Sequence, residues 1–126
     1  MSLGRCIAPP ERVRRALERI FGADAPISEV KVVERSLFAR LHWRAVATTR
    51  RRRIYLRDGA QAFFGDPALM LHEYCHVLLQ WETGSLTTAR YLLESLRRGY
   101  RDNRFEIEAR QCAARYAAWL QELIES

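Results

Sequence analysis

Only one lysine stands among the 21 basic residues of this chain, and its 126 positions hold three cysteines, four prolines and six glycines. Each shortage excludes something. Cys6, Cys75 and Cys112 are odd in number and show no Cys-x-x-Cys spacing, so no disulfide framework is expected and the usage fits a reducing compartment. Hydrophobic runs are short, and none approaches the ~20 apolar residues that span a bilayer. The charged residues Arg5, Glu11 and Arg12 come before any hydrophobic stretch develops, so no signal peptide is read at the N-terminus. A cytoplasmic protein without membrane association is therefore expected. Repeats, low-complexity tracts and linkers are also missing, which leaves one domain over residues 1–126.

What is present is the composition of a folded chain, 48% hydrophobic and 29% charged. The formal charge is +6, and its densest cluster is Arg50-Arg51-Arg52-Arg53. That run reads as a solvated turn. Aromatic residues are poorly interleaved with it and no nucleic-acid fold signature accompanies it, so an Arg-rich DNA or RNA binder is the lesser reading.

The segment that carries chemistry is His72-Glu73-Tyr74-Cys75-His76. Asp66-Pro67 opens a helix before it, an N-cap followed by proline at the first helical position. Leu69, Met70, Leu71, Val77, Leu78, Leu79 and Trp81 surround the motif on nearly every side, which marks a buried helix. Residues i and i+4 of a helix share a face, so His72 and His76 can reach one metal ion. Glu73, about 100° from His72, flanks that face and can reach a metal-activated water. The spacing points to Zn²⁺ held by two imidazoles, with Glu73 as general base in hydrolysis. Cys75 reads as a buried apolar filler.

A catalytic zinc takes three protein ligands, so a third is required. Glu82, Glu106, Glu108 and His42 are the candidates. Straight continuation of the helix turns Glu82 about 120° or more from His76, and Leu79 stands where a chain reversal would need glycine. His42, beside Trp43 in an expected strand, can serve only if that strand crosses the site. Glu106 lines up with Ala109, Ala113, Ala117, Leu120 and Ile124 on the apolar stripe of the last helix, while Glu108 projects about 160° away. Glu106 is thus the inward carboxylate and the favoured ligand. Its alternative role is local, because Asn103-Arg104-Phe105-Glu106 also fits a capping box. Tyr100, His42 and Tyr91 are candidate donors to an oxyanion.

The remaining periodicity gives the layout. A helix is expected over Pro10–Phe21, stopped by Gly22. Strands are expected over Ile27–Val33, Leu37–Ala47 and Ile54–Leu56, with a turn at Thr48–Arg51 and a loop at Gln61–Gly65. Helices then follow over Asp66–Trp81, Leu86–Arg98 (Leu92, Leu93 and Leu96 packing, Gly99 ending it) and Arg104–Glu125. This is an α+β order: one N-terminal helix, a small three-stranded, mostly antiparallel sheet, then three helices.

The motif followed by Glu106-Ile107-Glu108-Ala109 resembles the gluzincin pattern, in which a downstream helix supplies Glu with Ala three positions later. Together with Ile54-Tyr55-Leu56 and Gln80, the stretch from Arg53 to Ala113 is similar to small zincin-like domains of bacterial proteins. The resemblance implies a zincin-like fold, zinc, peptide or protein substrates, and the strand Ile54–Leu56 as the sheet edge beside the cleft. Arg110 departs from the pattern, since an Asp or Asn often stands there. A non-catalytic zinc scaffold or partner-binding domain remains as the alternative reading.

Overall fold

The computed structural model describes residues 4–36 and 47–126, without the side chains of residues 47 and 48. The described residues form five helices and one four-stranded sheet, a mixed α+β arrangement. In chain order these are β1 (Arg5–Ile7), α1 (Glu11–Phe21), a 3₁₀ turn (Ile27–Glu29), β2 (Lys31–Glu34), β3 (Ala47–Arg50), β4 (Arg53–Leu56), α2 (Ala60–Phe64), α3 (Pro67–Cys75, continuing as a π-helical segment His76–Trp81), α4 (Thr88–Asp102) and α5 (Arg104–Glu125).

The sheet has the order β1-β2-β4-β3. β1 pairs antiparallel with β2 (Cys6 opposite Val33), β2 runs parallel to β4 (Val32 opposite Ile54), and β3 and β4 form an antiparallel hairpin (Thr49 opposite Ile54). One strand more than expected is present. β1 has three residues ahead of Pro9 and Pro10, too short to carry a period-2 signal. The strand expected from Ile27 begins only at Lys31, because Pro26 opens the 3₁₀ turn instead. Of the strand expected over 37–47, only Ala47 falls within the described residues; His42 lies outside them. β3 occupies much of the stretch read as a turn, and the reversal is made by Arg51 and Arg52, the latter at φ 58°. β4 therefore lies between two strands, and β3 rather than Ile54–Leu56 is the edge on that side among the described residues.

Residues 61–64 of the segment 61–65, read as a loop, belong to α2, and Gly65 follows its end. The first backbone N–H of α2, that of Ala60, donates to the Glu34 carboxylate at 2.8 Å. A cap from another element replaces the local N-cap signal, and Ala60, Phe63 and Phe64 are buried. The core joins Val13, Leu17, Val32, Ile54 and Leu56 to Met70, Leu71 and Tyr74 of α3 and to Ala113 and Leu120 of α5. α1 ends at Gly22 (φ 105°), whose N–H donates to the Glu18 carbonyl.

α4 departs from expectation. Leu92, Leu93 and Leu96 are exposed, Leu96 to 85%. The inward side of α4 is polar instead: Asn103 Nδ2 donates to the Tyr91 carbonyl and to Ser95 Oγ. Gly99 breaks the helix at φ 77°, and a short further turn follows it to Asp102. No described helix is long and apolar enough to cross a membrane.

Candidate metal centre

α3 starts as the sequence dictates. Asp66 accepts from the Leu69 N–H at 3.1 Å and Pro67 fills the first turn. After Cys75 the helix widens, and the Glu82 N–H donates to the Val77 carbonyl, a π-type bond. The end of this segment is closed by neighbours: the Gln80 carbonyl accepts from the Leu86 N–H at 3.0 Å, and Trp81 Nε1 donates to Thr49 Oγ1 of β3 at 3.2 Å. α5 starts at Asn103, whose Oδ1 accepts from the Phe105 N–H at 2.8 Å. Glu106 thereby opens α5 opposite the middle of α3.

Three ligand atoms converge there. His72 Nε2 lies 2.9 Å and His76 Nε2 3.1 Å from Glu106 Oε1. All three lie within 4.8 Å of one another, and the group could hold a metal ion. In a tetrahedral site with bonds of ~2.0–2.1 Å, ligand atoms stand ~3.3 Å apart, close to the two distances from Glu106 Oε1. Two imidazole nitrogens and one carboxylate oxygen are a donor set suited to zinc. The other carboxylate oxygen, Oε2, accepts from the Tyr91 hydroxyl at 2.8 Å, leaving Oε1 to the two histidines. The carboxylate thus faces the histidines and Tyr91, while capping of α5 is done by Asn103.

Electrostatics follow from burial and proximity. Burial raises the Glu106 pKa, but hydrogen bonds from His72 and His76 outweigh it and hold the carboxyl well below the usual range. Desolvation lowers the His76 pKa, yet the Glu106 hydrogen bond and charge, with Glu73, leave it raised. Glu73 is only 6% exposed, and desolvation pushes its carboxyl up against the opposing pull of His76 and His72. Tyr91 is raised by burial and by Glu106. Tyr100 is exposed over most of its surface, but partial desolvation followed by the charges of Glu106 and Glu73 pushes its hydroxyl up to about 12.

The other candidates are elsewhere. Glu82 is gripped by the Arg52 guanidinium at 2.6 to 3.2 Å, and Arg52 also reaches Glu29 at 3.0 Å. Glu108 is outside the ligand group and accepts from Gln80 Nε2 at 3.1 Å. Cys75 is fully buried, its thiol pushed up by contact with the Cys112 thiol and by burial. Sequence reasoning passed over the role of Gln80, whose Oε1 lies 2.6 Å from His76 Nδ1. Its position one turn after His76 was the available signal.

Residues 8–84 match the family model of the eCIS core domain. The chain belongs to the eCIS core domain family. No curated protein and no solved structure matches it. The eCIS core domain match includes His72, Glu73, His76 and Gln80, whereas Glu106 and Tyr91 come from α5 and α4, beyond it.

Proposed function

We propose that this eCIS core domain chain is a zinc-dependent metallopeptidase on a zincin-like minimal fold, with His72, His76 and Glu106 as ligands and Glu73 as general base. The observation that carries the reading is the approach of two imidazole Nε2 atoms to one carboxylate oxygen, at 2.9 and 3.1 Å. Zinc, when bound, supplies a Lewis acid that polarises a peptide carbonyl and acidifies a water.

The chain's own residues do the remaining work. Tyr91 holds Glu106 Oε2 and so keeps Oε1 directed at the histidines. Glu73, buried and with a raised proton affinity, is suited to take a proton from attacking water and return it to the leaving amine. Tyr100 and Tyr91 both stand beside Glu106 and are the candidate oxyanion donors, Tyr100 being the more exposed of the two. Among the described residues β3 is an edge strand, tied to the π segment through Thr49 and Trp81, and an extended peptide can pair along it.

The test is elemental analysis of the purified chain followed by peptide cleavage. Zinc is expected in the wild type and in Glu73→Gln, with turnover lowered about 10²–10⁴-fold in the variant. A chain that takes up no zinc when it is supplied removes the reading. Zinc uptake without cleavage of any peptide in a broad library leaves a non-catalytic scaffold.

A further inference from the structure

We infer that Gln80 is a positioning residue that pins a proton on His76 Nδ1 and so keeps His76 Nε2 as the ligating atom, with Glu108 as its anchor. The functional consequence rests on the metallopeptidase reading; the hydrogen-bond pattern does not.

Gln80 is fully buried. Its side-chain amide has three polar neighbours: His76 Nδ1 at 2.6 Å from Oε1, and the Phe105 carbonyl at 3.0 Å and Glu108 Oε1 at 3.1 Å from Nε2. The carbonyl and the carboxylate can only accept. An amide turned the other way would set its oxygen against both, so its orientation is forced. Oε1 then faces the ring, and the ring nitrogen opposite it must donate. Without metal both ring nitrogens donate, Nδ1–H to Gln80 and Nε2–H to Glu106; once Nε2 gives its proton up to a metal, the one N–H of the neutral ring is the one fixed at Nδ1, and the lone pair is on Nε2. Nε2 is the atom that meets Glu106 Oε1.

The same amide links two ligands. Phe105 immediately precedes Glu106 in α5, so the bond to its carbonyl ties the His76 ring to the backbone that carries the third ligand. The Gln80 backbone is itself held, its carbonyl accepting from the Leu86 N–H. Outer-shell partners of this kind fix ring orientation and tautomer in metal sites. Arg110 stands where an acidic or amide partner was expected, and Gln80 with Glu108 supplies an outer support from a different direction.

The test uses the 126-residue chain with ¹⁵N-labelled histidine. Long-range ¹⁵N–¹H spectra of the wild type, metal-free and zinc-loaded, are expected to show a protonated Nδ1 on His76, and in Gln80→Leu that proton is expected to lose its hydrogen bond, with an upfield shift and faster exchange with water. Zinc affinity of Gln80→Leu, measured by chelator competition, is expected to fall about 10–100-fold. The transposed pair Q80E/E108Q restores an acceptor for Nδ1 and a donor from position 108 but leaves the Phe105 carbonyl facing an oxygen, and should recover part of the loss. A bare Nδ1 in zinc-loaded wild type overturns the inference alone. Absence of zinc uptake with Nδ1 protonated overturns the metallopeptidase reading alone. A folded Gln80→Leu variant with affinity within about twofold of the wild type also overturns the inference. Should that variant not fold, the wild-type spectra and the comparison of Q80E with Q80E/E108Q decide it: equal affinities in those two count against the inference.

Discussion

Glu106 Oε1 stands 2.9 Å from His72 Nε2 although 34 residues separate them in the chain. Two helix starts create that contact, one capped by Asp66 and the other by Asn103. Glu106→Gln keeps the side-chain volume and removes the charge. Its zinc affinity is expected to fall by more than the ~10–100-fold typical of outer partners. Competition with a chromophoric chelator measures this, and unchanged affinity would place the third ligand elsewhere.

Acid and base should destabilise the metal-free chain for different reasons. The Glu106 pKa is depressed below 4.5, so its contribution is present above that value and is lost as pH falls toward the folded pKa. The His76 pKa is raised above 6.5, so its contribution is complete below 6.5 and is lost as pH rises through the folded value. Glu73, raised above 4.5 by burial, also loses stability as pH climbs from that value, so stability is expected to be highest toward the acid end of this window and to fall on both sides. Zinc replaces the Nε2 proton, so zinc-loaded chain should gain stability relative to metal-free chain as pH rises. Thermal melts across the pH range with and without zinc test both signs. Metal-free stability still climbing in alkaline solution would contradict the His76 assignment.

Tyr74 is fully buried, and its hydroxyl has no hydrogen-bond partner among the described residues. Desolvating a hydroxyl without a partner costs ~1–3 kcal/mol. Tyr74→Phe keeps the ring against Phe63 and is expected to stabilise the chain by about 1 kcal/mol in urea unfolding. A loss of stability would mean that the hydroxyl is hydrogen-bonded in solution.

Leu71 and Leu96 separate core from surface. Leu71 is fully buried in the shared core, and Leu71→Ala should cost about 2–5 kcal/mol. Leu96 lies on the outward face of α4, and Leu96→Gln should change stability by less than about 0.5 kcal/mol. A large loss from Leu96→Gln in the isolated chain would show that α4 packs differently.

The motif helix, its cap and the shared face of His72 and His76 were legible because each depends on residues within one or two turns. Glu106 could be picked from four candidates for the same reason: the 3.6-residue period of its own helix set it on the alanine stripe, and Ala109, Ala113 and Leu120 are indeed buried. Local periodicity failed where the partner was remote. Glu34 caps α2 from β2, and Arg52 captures Glu82 across 30 residues. Leu92, Leu93 and Leu96 have helical spacing, but spacing cannot say which side of a helix meets the protein. Asn103, Ser95 and Tyr91 decided that for α4.

The identities and helical phases of His72, Glu73, His76 and Glu106 are properties of the linear chain, since they follow from side chains repeating around a helix axis. Sheet order, the burial of Glu73 and the amide of Gln80 locked between His76, Phe105 and Glu108 are not. They depend on distances between segments far apart in sequence, which exist only once α3 and α5 have packed. Burial and hydrogen bonding then set proton affinities that no isolated helix could impose.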